Sequence, residues 1–387
     1  MDPRRANRLL MHDIFFASGG IPGRGDGRSR INGPSETKVV NSSVVDNGGI
    51  RVVEAAACPL CGASGRVRYS QLRDRSWSAP GTWSFRECVA CGHLWLDPCP
   101  VAEEIGRLYA SYYTHGVERG SPLQGDGFWP RCRRGVLEAY GYRGLAHDST
   151  ERFLGQALRF VPPVWEECEE IVHSVTGPPR GRLLDIGCGD GYFLRIMRDL
   201  GWTVQGLEPD PKAAAFARAH GLDIIQSPIE AASLAPNAFD VITTSHVIEH
   251  VLEPVTFLSV ARRALKPNGI LYVFTPNAGS WGHAMFGPSW YPLEPPRHLH
   301  IFRPRNLVAC AERARLQVVD VRTTGRLHLF FDASVSIHKT GRYRFDDPMI
   351  QASVFDRLFR VTENLLVRVH PYAGEEIVMR CTKPATD

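Results

Sequence analysis

The chain has 387 residues, 43% of them hydrophobic and 22% charged, with a formal charge of +4. That is ordinary globular composition with core material for a mixed α/β protein, either two domains or one large domain with appendages. So small a charge, with no dense Lys/Arg block, makes no case for nucleic acid, and no apolar run approaches the roughly 20 residues a membrane helix needs.

Residues 1–50 carry many Gly, Ser, Asn and Arg without a sustained period and are expected to be disordered. The apolar patch in MDPRRANRLLMHDIFFASGG is short and broken by Asp13, so a signal peptide is not expected and a cytoplasmic location is. Residues 51–100 hold CPLCG and CVACG among short polar and aromatic runs. Of ten cysteines, four form these two pairs and the rest are scattered, which suits a metal site in a reducing compartment better than a disulfide scaffold. A two-residue spacing lets both thiolates of a pair face one ion, and the following glycine relaxes the backbone past it. Cys58, Cys61, Cys88 and Cys91 would complete a closed tetrahedron, with no open position for water or substrate, so the expected zinc is structural.

Residues 101–180 read as a helical linker or lid region, with apolar residues three and four apart in EEIGRLYASYY and ERFLGQALRFVPPVWEECEEIVHSV. GDGFWP between them reads as loop. From 181 short apolar runs alternate with helical patterns, which predicts a parallel sheet with crossover helices. Residues 326–370 interrupt the rhythm as an insertion, and EEIVMRCTK reads as a last strand. The amphipathic segment 354–369 is expected to be a core or dimer-interface helix rather than a membrane contact.

In LLDIGCGDGYF a predicted strand, Leu183 to Ile186, runs into Gly187, Gly189 and Gly191, and a helix follows. Glycines there let the backbone approach a ligand at a helix N-terminus. A dinucleotide fingerprint would want glycine where Tyr192 stands. Asp185 precedes the first glycine. Glu208, ending the next strand in GLEPD, can take both hydroxyls of a ribose.

DIGCGDG followed by LEPD resembles the first two motifs of the class I S-adenosylmethionine-dependent methyltransferases. SHVIEHVLEP, RRALKPNGILYVFTPN and PPRHLHIF resemble the later ones. The resemblance covers about 181–325 and the last strand. CPLCG…CVACGHLWLDP is also similar to the zinc ribbon preceding the catalytic domain in methyltransferases of sugar, glycan or secondary-metabolite pathways. It implies a Rossmann-like seven-stranded α/β sheet in the order 3-2-1-4-5-7-6, occupying 181–387, with the ribbon and helical linker before it. It further implies S-adenosylmethionine as cofactor, held by Asp185, Gly187, Cys188 and Gly189 at its methionine end, by Glu208 at the ribose, and by Pro209 and Asp210 beside the adenine. Ser245 and His246 would lie where cofactor meets acceptor. Ser227 or a backbone group near Ile229 would stand in for the acid that relatives turn toward the adenine amino group. In LKPNG, Asn268 replaces a glycine and tolerates the left-handed turn.

Methyl transfer from a sulfonium requires a nucleophile about 3 Å from the methyl carbon and a site shielded from water. A base helps a hydroxyl acceptor, and histidine suits neutral pH. His246, His250 and His298 are the candidates, with His300 sharing the His298 segment. Trp281, Phe286, Trp290 and Tyr291, in SWGHAMFGPSWYPLEPP, are expected to form a substrate wall. The expected acceptor is a hydroxyl, amine or carbon of a small metabolite, sugar or glycan unit, and the chain a monomer or homodimer. Two other readings stay open: an RNA- or protein-modifying methyltransferase with the ribbon as reader, and a non-catalytic cofactor-binding scaffold.

Overall fold

In the computed structural model the cysteine-rich region builds two small sheets from β1 (Val45–Asn47), β2 (Ile50–Val53), β3 (Gly65–Leu72), β4 (Trp83–Cys88), β5 (Leu94–Asp97) and β6 (Cys99–Pro100). The structure describes residues 44–109, 120–175, 181–325, 330–343 and 353–385. The disorder expected for 1–43 and the inner parts of the 326–370 insertion lie outside them. Residues 44–50 do not follow that expectation. They enter a hairpin whose Asn47-Gly48-Gly49 corner suits a tight turn. Asn47 anchors it by accepting from the Thr82 N–H and donating to the Thr82 carbonyl, both at 3.0 Å.

The sheet β3-β4-β5 takes its fourth strand from far down the chain. β12 (His300–Ile301) pairs antiparallel with β5, His300 opposite Trp95 and Ile301 opposite Leu94. Backbone hydrogen bonds thus cross the division that the sequence places at residue 100.

The strand–helix alternation becomes a seven-stranded sheet: β7 (Arg182–Ile186), β8 (Thr203–Leu207), β9 (Ile224–Ile225), β10 (Phe239–Ser245), β11 (Leu265–Pro276), β13 (Gln317–Thr324) and β14 (Glu376–Thr382). Its order is β13-β14-β11-β10-β7-β8-β9. Counted from β7 as its first strand and read from the β9 edge, that is 3-2-1-4-5-7-6. β14 alone runs antiparallel to both neighbours. Leu183, Leu184 and Ile186 are all buried because helices cover both faces of a parallel sheet. One face packs Leu184, Ile186, Phe257, Leu258 and Leu307. The other packs Leu183, Leu194 and Met197 together with Val136, Leu137 and Cys168 of the linker helices.

GDGFWP is not all loop, since a helix runs Phe128–Ala139 and its Pro130 sits in the first turn, where no backbone donor is missed. Arg134 of this helix is buried against Glu151 of the helix Ser149–Leu158, at 2.6 and 3.0 Å. Asn268 has a left-handed φ of 61°, as expected. The helix Val354–Val369 departs from its expected core role: Phe359 is buried, but most of its apolar side chains are exposed. Among the described residues no helix is long and apolar enough to cross a membrane.

Candidate active site

The glycine loop leaves the C-terminal end of β7, where open α/β sheets bind ligands. Gly187 has φ 76°, and a Cβ there would meet Val247 Cγ2 at 2.4 Å, so both conformation and space demand glycine. A Cβ at Gly189 would meet nothing within 4 Å, so the loop faces open space at that residue. The amides of Gly187 and Cys188 donate back to the Leu207 carbonyl, at 2.7 and 3.3 Å. Glu208 accepts from the amides of Gly189 and Asp210, both at 2.8 Å. The loop thereby ties β7 to β8 through its own backbone. The Cys188 side chain packs into the core, where burial pushes its thiol up, so only its backbone can face a ligand.

Asp185 accepts from the Thr243 hydroxyl at 2.7 Å. Burial pushes its carboxyl up to about 7, Thr243 offsetting part of that and Glu208 adding to it. Burial also raises Glu208, against the two amides that hold it down. Among the described residues neither of these two buried, mutually interacting acids has a cationic partner, and Glu208 borders the open space at Gly189. That donor set fits a ligand carrying positive charge and vicinal hydroxyls, as S-adenosylmethionine does. Pro209 is exposed on the same segment, and Asp210 caps the helix Pro211–Ala219 through the amides of Lys212 and Ala213. Ser245 ends β10, half-buried. Ser227 donates its hydroxyl to the Pro228 carbonyl at 2.9 Å.

The histidines separate by their partners. His246 follows β10 with φ 55°, its Nδ1 3.2 Å from Glu249 and its Nε2 3.1 Å from Glu376. Burial alone would push its pKa down, but Glu249 and then Glu376 outweigh that and raise it to about 10. Both ring nitrogens thus face carboxylates, an arrangement that favours an imidazolium over a free base at His246. His250 lies against two oxygens at Nδ1, the Arg297 carbonyl at 3.0 Å and the Tyr109 hydroxyl at 2.9 Å. A carbonyl only accepts, so Nδ1 carries the hydrogen and Nε2 keeps its lone pair. Burial, then His298, pushes His250 down to about 4. His298 donates from Nδ1 to the Pro292 carbonyl at 2.6 Å, which leaves its lone pair on Nε2, 3.7 Å from a Glu294 carboxylate oxygen. The two rings meet edge to face, centroids 4.6 Å apart. Glu249 lies close by, offering one ligand or acceptor atom within 4.8 Å of theirs. His300 is elsewhere, its Nδ1 3.0 Å from buried His93 of the cysteine-rich region.

Asp74, from the loop between β3 and β4, was not foreseen. It holds the fully buried Arg297 guanidinium bidentately at 2.8 and 2.9 Å, and Arg297 also donates to Glu294 at 2.9 Å. Arg297 immediately precedes His298, so the cysteine-rich region positions the histidine loop. Arg297 stood in view within PPRHLH; nothing local marked Asp74 as its partner. The aromatic segment is packed down rather than free: Trp290 is fully buried and donates to Glu375 at 2.6 Å, while Trp281 stacks on Phe359 at 4.8 Å.

The four cysteines converge, with sulfurs 3.4, 3.6 and 3.7 Å apart for Cys61–Cys88, Cys61–Cys91 and Cys58–Cys91. Four thiolates at the usual zinc–sulfur length of about 2.3 Å on a tetrahedron would stand about 3.8 Å apart, so the donor set fits zinc. Each pair closes in a backbone turn, Gly62 N–H to the Cys58 carbonyl and Gly92 N–H to that of Cys88. The helix Pro304–Arg313 and the residue before it grip these turns. Arg305 and Asn306 donate to the Cys91 carbonyl, Arg303 to Gly92 and Arg313 to Leu60.

The His246 site has a pH signature. Its folded pKa lies above the ordinary unfolded value of about 6.5, so the stability it contributes is full below that value. It is lost as pH rises toward about 10. The wild-type melting temperature should fall across that window, and His246→Gln should flatten the fall. An unchanged slope in the variant would show that other groups carry it.

Residues 158–321 match the family model described as a methyltransferase domain. The ubiquinone biosynthesis O-methyltransferase of Cereibacter sphaeroides is 33% identical over 151 residues, 36% of this chain and 61% of that protein. Its counterpart from Xanthomonas campestris is 30% identical over 156 residues, 37% and 65% of the two chains. The chain thus spans less than two thirds of the length of these curated relatives. A solved S-adenosylmethionine-dependent methyltransferase from Archaeoglobus fulgidus aligns over 61% of this chain and 100% of its own, at 19% identity and a TM-score of 0.40.

Proposed function

We propose that the chain is an S-adenosylmethionine-dependent methyltransferase that alkylates a hydroxyl of a small molecule, a metabolite or sugar unit. The observation that carries this reading is the pair of interacting buried carboxylates, Asp185 and Glu208, the second of them bordering open space at Gly189. The match to the methyltransferase-domain family and the O-methyltransferase names of the relatives support it. The cofactor, when bound, supplies an electrophilic methyl on a sulfonium. Asp185 would pair with its ammonium and Glu208 with the ribose hydroxyls. Gly187, Gly189 and the backbone of Cys188 would shape the loop around its methionine end, with Pro209 beside the adenine and Ser245 near the acceptor. His298 would take the acceptor proton at Nε2, supported by His250. Glu249, held down to about 2 by His246 against its burial, stays ionised and would stabilise the imidazolium that forms.

Calorimetric binding of S-adenosylmethionine tests the reading. Wild type should bind and Glu208→Ala should bind about a hundredfold more weakly, since hydrogen bonds to a charged group contribute about 1.5–3 kcal/mol each. No heat with wild type would defeat it.

Cys58, Cys61, Cys88 and Cys91 would hold a structural zinc. Chelation should melt the cysteine-rich region and abolish acceptor turnover, because β12 and Arg303, Arg305 and Asn306 tie it to the histidine segment. Cofactor binding should persist. Cofactor affinity falling in step with zinc content would show that the metal supports the whole fold instead.

A further inference from the structure

The helix Val354–Val369 carries an apolar face that the described residues leave uncovered. Val354, Leu358, Val361, Leu365 and Val369 are 55–76% exposed. At 3.6 residues per turn they fall within an arc of about 80°. Phe355 and, just beyond the helix, Tyr372 are also exposed. The opposite face is the packed one, with Asp356, Phe359 and Glu363 buried and Phe359 stacked on Trp281. Its burial puts both carboxylates of the helix out of reach of the surface. The charged side chains left exposed beside the stripe are Arg357 and Arg368, with His370 following. Both arginines lie on one flank of the stripe, Arg368 about 60° and Arg357 about 80° from its centre by the same helical geometry.

An uncovered apolar stripe with exposed arginines along one flank is complementary to an anionic, half-apolar surface. It is poorly complementary to itself in an antiparallel two-fold pairing, which would gather four arginines in one seam. We propose that this helix docks the protein on an anionic lipid surface, lying in the interface plane with its stripe at the acyl boundary and Arg357 and Arg368 on the headgroup phosphates. The same helix stacks on the aromatic segment through Phe359, so docking would set the candidate acceptor region against the bilayer.

Flotation of the full chain with vesicles tests this, using phosphatidylcholine alone and equal parts phosphatidylcholine and phosphatidylglycerol. Binding is expected to the mixed vesicles only, weakening as salt is raised. Leu358→Gln with Leu365→Gln should abolish it without shifting the melting temperature, since both side chains are exposed. Arg357→Gln and Arg368→Gln should each weaken it about fivefold. The proposal is overturned by absence of binding to mixed vesicles, or by binding that these substitutions leave intact. A concentration-dependent dimer that Leu358→Gln with Leu365→Gln dissociates would also overturn it, assigning the face to a second copy.

Discussion

Asp74→Ala is expected to cost about 3–5 kcal/mol of stability, the usual range when one partner of a buried ion pair is removed. Asp74 and Arg297 are both essentially excluded from solvent and meet through two hydrogen bonds, at 2.8 and 2.9 Å. Burial alone would push the Asp74 carboxyl up, but Arg297 outweighs it and holds the group below the usual carboxylate range. Asp74 also accepts from the amides of Ser76, Trp77 and Ala79, so the substitution orphans three donors as well as half of the guanidinium. Glu294 would remain on Arg297, which limits the loss. Denaturant unfolding measures the cost, with Asp74→Asn as a milder comparison that keeps the shape. Because Arg297 precedes His298, acceptor turnover should fall while cofactor affinity holds. A cost under about 0.5 kcal/mol, as for an ordinary surface change, would mean the pair does not join the two regions.

His298→Gln is expected to lower kcat by about 10²–10⁴, the span of general-base catalysis, with cofactor affinity almost unchanged. The Pro292 carbonyl fixes the hydrogen on Nδ1, so the lone pair of Nε2 is the one available to an acceptor proton. Glutamine keeps polarity and approximate length but cannot take that proton. The residual rate should then rise with pH as the acceptor ionises unaided, while the wild-type rate levels off. The measurement is conversion of S-adenosylmethionine to S-adenosylhomocysteine with a phenolic or sugar hydroxyl acceptor. A loss of less than tenfold, or a residual rate with the wild-type pH profile, would assign the proton transfer elsewhere.

The two expectations draw on different kinds of information. PPRHLH carries His298, and the chemistry of imidazole nominates it. Asp74 could not be nominated, because its role comes from a partner 223 positions away. His246 shows the converse. Its place at the end of β10 suggests a base, yet Glu376 arrives on β14, 130 positions later, and sets a second carboxylate against the ring. The family resemblance places Cys188 at the cofactor, and only the packing shows its side chain turned into the core.

What the sequence determined by itself was what short-range geometry controls. The spacing within CPLCG and CVACG, the glycines of DIGCGDG, and the alternation of strand and helix from 181 each constrain a few neighbouring residues, and each reached the structure in recognisable form. Tertiary structure alone decided the rest: that β12 completes the cysteine-rich sheet, that Asp74 secures the histidine loop, and that Glu376 charges His246. Those outcomes depend on burial and on charges meeting across long chain separations. A carboxylate or imidazole acquires its character from the dielectric and the partners around it, and these do not exist until the chain has folded.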